Sequence, residues 1–138
     1  MSDYKKPYGK SNNSGGFNQK IETTITKIEL DYIKDVNLFD ETAKKVANEI
    51  SKNTKTTQIR NFYDYILKLC EESKNKPFNE VLPFVKMLNS KVAYAKTRKH
   101  VSSEFALMME DCVKQVNSKD KLDVFKLFFE AVIGFSKK

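Results

Sequence analysis

The spacing of apolar residues predicts a series of helices from residue 38 to the C-terminus. Apolar side chains recur three, four and seven positions apart, which places them on one face of an α-helix. Only a few residues separate one such stretch from the next, as in antiparallel bundles. The sequence therefore predicts an all-α fold, a compact five-helix bundle, with helices at 38–51, 56–74, 79–98, 102–117 and 119–136.

Polar residues stand where these helices are predicted to begin. Side chains of Ser, Thr, Asp and Asn accept hydrogen bonds from the free N–H groups of a first helical turn. The third helix also contains Pro83 in its first turns, where a missing N–H group costs least. The candidate N-caps are Asn37, Thr56 or Thr57, Ser102 or Ser103, and Ser118.

The apolar faces supply the predicted core. We interpret Met87, Met108 and Met109 as flexible fillers of this core rather than as a cofactor or partner surface. Cys70 and Cys112 fall at apolar positions without CxxC spacing, so we expect reduced core thiols in a cytoplasmic protein. In the third helix the predicted inner face consists of Phe84, Val85, Leu88, Val92 and Ala95.

The first 36 residues do not follow the helical pattern. Residues 1–20 are rich in Ser, Asn, Gly and Lys, and we expect a flexible basic tail because little apolar surface offsets the entropy of ordering. Residues 21–36 are ambiguous, since their isoleucines have helical spacing but their β-branched threonines oppose a helix. We expect residues 21–138 to form a single helical domain, with no signal sequence and no membrane span.

Positive charge is concentrated in two parts of the chain. The net charge is +7, with +3 in residues 1–20, −3 in residues 21–51, +7 in residues 52–100 and 0 in residues 101–138. A concentrated excess of Lys and Arg suggests a polyanionic partner such as nucleic acid. Moderate basicity for solubility is the alternative.

Residues suited to catalysis are scarce. His100 is the single histidine, and no Ser or Cys stands in the context of an activated nucleophile. The acidic pairs Glu71–Glu72 and Glu110–Asp111 are adjacent in sequence, so their side chains diverge by about 100° on a helix and do not converge on a metal. We therefore expect a protein that is not an enzyme and that has no cofactor or metal.

A basic stripe on the third predicted helix is the clearest candidate site. Lys91, Tyr94 and Arg98 lie three and four positions apart, so they share one helix face beside the buried one. Two cations flanking a phenol suit a ribose–phosphate strand. Lys96 and Lys99 extend the charge around the helix end. A tyrosine at the core margin with snorkelling cations explains the same pattern.

Arg60 forms a second basic feature near the start of the second helix. An exposed pair with Asp64 would contribute only about 0.3 kcal/mol, which the unfavourable position in the helix dipole nearly cancels. Helix stability therefore does not explain this arginine. With Lys52 and Lys55 nearby, the helix start would favour an anion.

Two motifs resemble those of a known family. TTQIRNFYDYI, residues 56–66, resembles the Thr-Ser-Gln-Ile-Arg signature of the small subunit of type III-A CRISPR effector complexes, the Csm small subunit. LNSKVAYAKTRK, residues 88–99, resembles the second signature of that family, with Ser90 and Thr97 in place of a common Pro and Gly. The closing FKLFFEAVIGFSK resembles its aromatic-rich last helix. The resemblance covers about residues 38–136.

The resemblance implies a non-catalytic small subunit whose copies stack head-to-tail and line the channel in which CRISPR RNA pairs with target RNA. The implied partners are these two RNAs, other copies of the chain, and the backbone and large subunits of the complex. Contacts with RNA are expected to be to the backbone and independent of sequence. A stand-alone helical nucleic-acid-binding protein and a structural adaptor are the alternatives. Five candidate RNA-binding residues come from the motifs and four from charge and proximity: Gln58, Arg60, Lys91, Tyr94 and Arg98, then Lys52, Lys55, Lys96 and Lys99.

Overall fold

The computed structural model describes residues 23–136, so the predicted tail at residues 1–20 lies outside the described part. Within that part the chain forms helices and no strand, which confirms the predicted all-α fold. A π-helical turn at Leu38–Thr42 leads directly into the first α-helix. The α-helices are α1 (Ala43–Ile50), α2 (Thr56–Ser73), α3 (Phe78–Lys86), α4 (Leu88–Thr97), α5 (Ser103–Gln115) and α6 (Lys119–Ser136).

The third predicted helix is divided into α3 and α4 at one residue, Met87. This residue keeps helical backbone angles (φ −63°, ψ −21°), and its N–H group donates to the carbonyl of Pro83 at 3.0 Å. Its own carbonyl accepts from the N–H groups of Ser90 and Lys91. Because a helical residue joins α3 to α4, the two are one interrupted helix. Counted in this way, the bundle has the five helices that the sequence predicts.

Four phenylalanines are among the largest fully buried side chains of the core. Phe105, Phe125, Phe128 and Phe129 are fully buried. The ring of Phe105 lies 5.4 Å from that of Phe62 on α2 and 6.3 Å from that of Phe129 on α6, measured between centroids. These tilted and edge-on arrangements are the ones that aromatic quadrupoles favour. The contacts join α2, α5 and α6 in one apolar interior.

Two predicted core residues are instead exposed. Phe84 is 47% exposed and Met87 is 44% exposed, so their assignment to the core was wrong. Phe84 precedes Val85 by one position, which rotates it by about 100° away from the buried face of α3. Met108 and Met109 are fully buried, which confirms them as core residues.

The predicted N-caps have mixed outcomes. Ser102 Oγ accepts a hydrogen bond from the Phe105 N–H group at 3.0 Å, and Ser118 Oγ accepts one from Lys121 at 3.2 Å, so both caps are confirmed. Thr56 and Thr57 were wrong candidates, because both already lie inside α2, which begins at Thr56. Lys55 takes the N-cap position, and its side chain makes no capping bond.

Asn37 takes the predicted cap position of the first helix, but its side chain makes no capping hydrogen bond. Asp35 supports this helix start instead. Its Oδ1 accepts from the Asn37 N–H group at 3.0 Å, and its Oδ2 accepts from the Thr42 hydroxyl at 2.7 Å.

Residues 23–31, which we call the strap, are not helical and lie against the bundle. Ile28 and Leu30 are buried there. The Gln115 side chain donates to the Ile28 carbonyl and accepts from the Leu30 N–H group, both at 2.8 Å. Glu49 accepts two hydrogen bonds from Thr26. The strap therefore satisfies its backbone groups with side chains of α1 and α5 rather than with a helical ladder.

The bundle has two ends with different compositions. At one end, which we call the basic end, Lys55 donates its N–H to the His100 carbonyl at 3.0 Å, joining the start of α2 to the segment after α4. At the opposite end, the Gln115 side chain accepts a hydrogen bond from the Leu30 N–H group, and the Lys121 ammonium donates one to the Leu30 carbonyl. Because α6 has 18 residues, it rises about 27 Å along its axis, a length that sets the scale of the separation between the ends.

Both cysteines are free and buried, as predicted for core thiols. Burial, with a smaller effect of Asp123, raises the pKa of Cys70 to about 11. Burial also raises the pKa of Cys112 well above its usual range. Both thiols are therefore protonated at neutral pH, and a protonated thiol is a poor nucleophile.

Candidate nucleic-acid interface

Four of the nine predicted site residues line one groove between α2 and α4. They are Gln58, Lys91, Tyr94 and Arg98. We call this site the tyrosine groove, because Tyr65 and Tyr94 stand on its two sides. Its full lining comprises Gln58, Asn61, Phe62, Tyr65, Met87, Ser90, Lys91, Tyr94, Ala95, Arg98 and His100.

Helical periodicity on both helices builds this groove. On α2, Gln58, Asn61 and Tyr65 are spaced by three and four residues, so they follow one another along one face. Phe62 on α2 and Ala95 on α4 also line the groove, and both are buried. The groove therefore has an apolar floor, with polar and charged side chains along its rim.

Each tyrosine of the groove is in contact with a cation. Lys91 Nζ lies 4.9 Å from the centroid of the Tyr65 ring, and Arg98 Cζ lies 5.4 Å from that of Tyr94. Both distances are within the range of cation–π attraction, worth about 0.5–1 kcal/mol at exposed sites. Tyr94 is 64% exposed, so its ring is accessible to a ligand. Among residues 23–136, neither cation forms an ion pair with a carboxylate, and each lies beside an aromatic ring instead.

Tyr65 is a groove residue that sequence reasoning missed. Its hydroxyl lies 3.4 Å from the Phe84 carbonyl oxygen and 3.8 Å from Met87 Sδ. Burial, with a smaller effect of Glu72, raises the pKa of the Tyr65 hydroxyl. Its position three residues after Phe62 indicates that it lies at the edge of the apolar face of α2. Its contact with Lys91 depends on where α4 lies relative to α2, which the spacing of residues on one helix does not give.

Three further predicted residues lie around a second groove at the basic end, the lysine groove. They are Lys55, Lys96 and Lys99, and Glu104 lies on the same rim. Thr23, the first described residue of the strap, also lines it. The groove brings together cations from the start of α2 and the end of α4, as expected if both contribute to one basic surface.

Lys99 has an unusual backbone conformation. Its φ is +63°, in the left-handed region. The N–H group of the next residue, His100, donates back to the Ala95 carbonyl at 2.9 Å, which closes the end of α4. Glycine is the usual residue at such a helix end, because a Cβ atom is strained there. A lysine at this position keeps a cation in the lysine groove at a cost in stability.

We expect Lys99→Gly to raise the free energy of unfolding by about 1 kcal/mol, because glycine adopts positive φ without strain. Lys99→Ala removes the same charge and keeps the strain, so it serves as the matched control. Urea denaturation of both variants measures the difference. Equal stabilities for Lys99→Gly and Lys99→Ala would show that the left-handed conformation is not strained.

The remaining two predicted residues lie apart from both grooves. Arg60 lines a third depression, with Thr56 on α2 and Ile133 and Ser136 on α6. Among ion pairs between residues 23 and 136, Lys74–Glu71 is present and Arg60–Asp64 is not. Lys52 is exposed and lines none of the three. The nine predicted residues therefore lie around the basic end and along the tyrosine groove, and they do not form one pocket.

Clusters of metal ligands and membrane-spanning helices are both absent from residues 23–136. No three His, Cys, Asp or Glu side chains there come together as metal ligands would. None of the helices described has the combined length and apolar character that crossing a membrane requires.

A small helical bundle that brings tyrosines and cations of α2 and α4 to one groove has a surface suited to polyanions. Comparison with protein families identifies it further. The model of the Csm2 Type III-A family matches residues 33–138, and the chain belongs to this family. It is a small subunit of the type III-A CRISPR effector complex, which confirms the resemblance seen in the two motifs. No curated protein and no solved structure matches the chain.

Proposed function

We propose that this subunit lines the channel in which guide RNA and target RNA pair, and that it contacts the RNA backbone without reading sequence. The grouping of seven of the predicted site residues in the tyrosine and lysine grooves is the observation that carries the proposal. Lys and Arg at such positions neutralise phosphates and release counterions. Base pairing with the guide supplies the sequence reading, so the subunit needs to supply none.

Stacking of several copies is part of the proposal. Ile33 and Val36 are 81% and 82% exposed, in the loop that follows the strap at the end opposite the basic end. Asp31 Oδ1 accepts from the N–H groups of Ile33 and Lys34 and so fixes the loop. Unlike surfaces at two ends suit a head-to-tail contact that repeats along a filament. Repetition would place many weak RNA contacts on one strand and so raise the total affinity.

The subunit contributes no catalytic group in this account. Its two thiols are buried, and burial raises their pKa values, which keeps them protonated and poorly nucleophilic. It acts in the cytoplasm alongside the backbone and large subunits, which hold the guide and carry any chemistry.

Salt dependence of RNA binding by the full-length chain tests the proposal. If about five phosphates are engaged, the slope of log K against log salt concentration is expected to be roughly −3.5 for single-stranded RNA. Two oligonucleotides of equal length and unrelated sequence should bind with the same affinity. Absence of binding at low salt, or a strong preference between the two sequences, would contradict a backbone-binding role.

A further inference from the structure

The tyrosine groove has more apolar and amide surface than phosphate binding requires. Its floor contains Phe62, 6% exposed, and Ala95, 4% exposed. A phosphate placed on this floor would lose water without gaining a hydrogen bond, which is unfavourable. The cations Lys91 and Arg98 stand on the rim instead, where phosphates remain hydrated. The floor is therefore suited to a different part of the nucleotide.

Aromatic rings and amides are the chemistry with which proteins bind unpaired bases. Single-stranded RNA is bound by stacking bases on phenol rings and on Arg guanidinium planes, and by hydrogen bonds to the base edges. The groove offers Tyr65, Tyr94 and Arg98 for stacking. Gln58 and Asn61 each bring both a donor and an acceptor to the rim.

The dimensions of the groove fit a nucleotide. The groove is open to solvent and has a volume of about 720 Å³, within the range of about 300–1,000 Å³ typical of small-molecule sites. The helix that forms one wall rises about 16 Å between Met87 and Arg98. A base can therefore enter while the flanking phosphates lie beside Lys91 and Arg98.

We propose that the tyrosine groove holds an unpaired nucleobase of the bound RNA, stacked on Tyr94 or Tyr65, while Lys91 and Arg98 contact the phosphates on either side. This inference rests on the proposed function, because it assumes that the groove faces RNA. It adds a preference for unpaired over paired nucleotides. Stacking tolerates every base, so the site remains independent of sequence.

An abasic oligonucleotide separates base insertion from backbone contact. The full-length chain is titrated with a single-stranded RNA and with the same RNA lacking its central bases, both carrying a fluorescent label. Since the two have equal numbers of phosphates, their counterion release is the same. We expect the abasic strand to bind at least about fivefold more weakly, as for the loss of one stacked base.

Paired variants assign the effect to the groove. In Tyr65→Leu with Tyr94→Leu both rings are removed, and we expect the two RNAs to bind within about twofold of each other, since a leucine provides no stacking face. In Tyr65→Phe with Tyr94→Phe the rings remain and the hydroxyls are lost, so the full difference should persist. Circular dichroism checks that each variant keeps its helices.

Three outcomes would overturn the inference. Equal, measurable binding of the intact and abasic RNAs by the unmodified chain refutes base insertion and leaves the backbone-binding role standing. Persistence of the whole difference in the folded leucine variant places the base elsewhere. Absence of binding to either RNA at low salt removes the proposed function, and the inference falls with it.

Discussion

Replacing Lys91 and Arg98 together by glutamine is expected to weaken RNA binding by the full-length chain about 25-fold at 0.1 M salt. Each of the two cations lies on the rim of the tyrosine groove, 4.9 Å and 5.4 Å from a tyrosine ring centroid. If each neutralises one phosphate, their loss makes the salt slope about 1.4 less steep. At 0.1 M salt, a slope that is less steep by 1.4 corresponds to an affinity about 25-fold lower. Fluorescence anisotropy titrations at several salt concentrations measure both quantities.

A second pair of lysines provides the matched control. Lys114 and Lys119 are exposed at the end opposite the basic end, at the close of α5 and the start of α6. Replacing both by glutamine changes the net charge by the same amount. We expect this control variant to bind RNA with an affinity and a salt slope within about twofold of those of the unmodified chain. Equal losses for the two pairs would indicate attraction by net charge alone and contradict a localised RNA surface.

Ser102→Ala is expected to lower the free energy of unfolding by about 2–3 kcal/mol. The Ser102 hydroxyl accepts from the Phe105 N–H group at 3.0 Å and from the Thr54 hydroxyl at 2.9 Å. It also lies 3.4 Å from the Ile50 carbonyl oxygen. Because Ser102 and Thr54 are buried, the substitution removes a helix cap and leaves polar groups without partners. Urea denaturation measures the loss.

The neighbouring Ser103→Ala is the control for this substitution. Ser103 is half-buried and is the first residue of α5 rather than its cap, so we expect a loss below about 0.5 kcal/mol. Combining Ser102→Ala with Thr54→Val should cost less than the sum of the single losses, because the two hydroxyls bind each other. Similar small losses for Ser102→Ala and Ser103→Ala would refute the importance of the buried network.

The helices could be predicted because their signals are local. The predicted ranges 56–74 and 119–136 correspond closely to α2 (Thr56–Ser73) and α6 (Lys119–Ser136). Apolar spacing fixes which face of a helix is inward, and a serine before α5 and α6 fixes where each begins. The strap lacked such signals. Its hydrogen bonds reach Glu49 and Gln115, which are distant in sequence, so only the folded chain reveals them.

The candidate site was predictable in its parts but not in its grouping. The spacing of Lys91, Tyr94 and Arg98 placed them on one face of a helix, and the structure puts them along one groove. The pairing of Tyr65 with Lys91 was missed, because periodicity gives an orientation on one helix and not the identity of the helix opposite. For the same reason Arg60, on the other flank of α2, lies near α6 instead of near Arg98.

Cross-linking of target RNA in the assembled type III-A complex tests the central claim most directly. Photoreactive nucleotides placed along the target strand report which peptides of this subunit lie against RNA. We predict cross-links within residues 52–60 and 91–99, at the basic end and along the tyrosine groove, and their loss when Lys91 and Arg98 are both replaced by glutamine. Cross-links confined to residues 31–37 and 114–121, at the opposite end, would contradict the account.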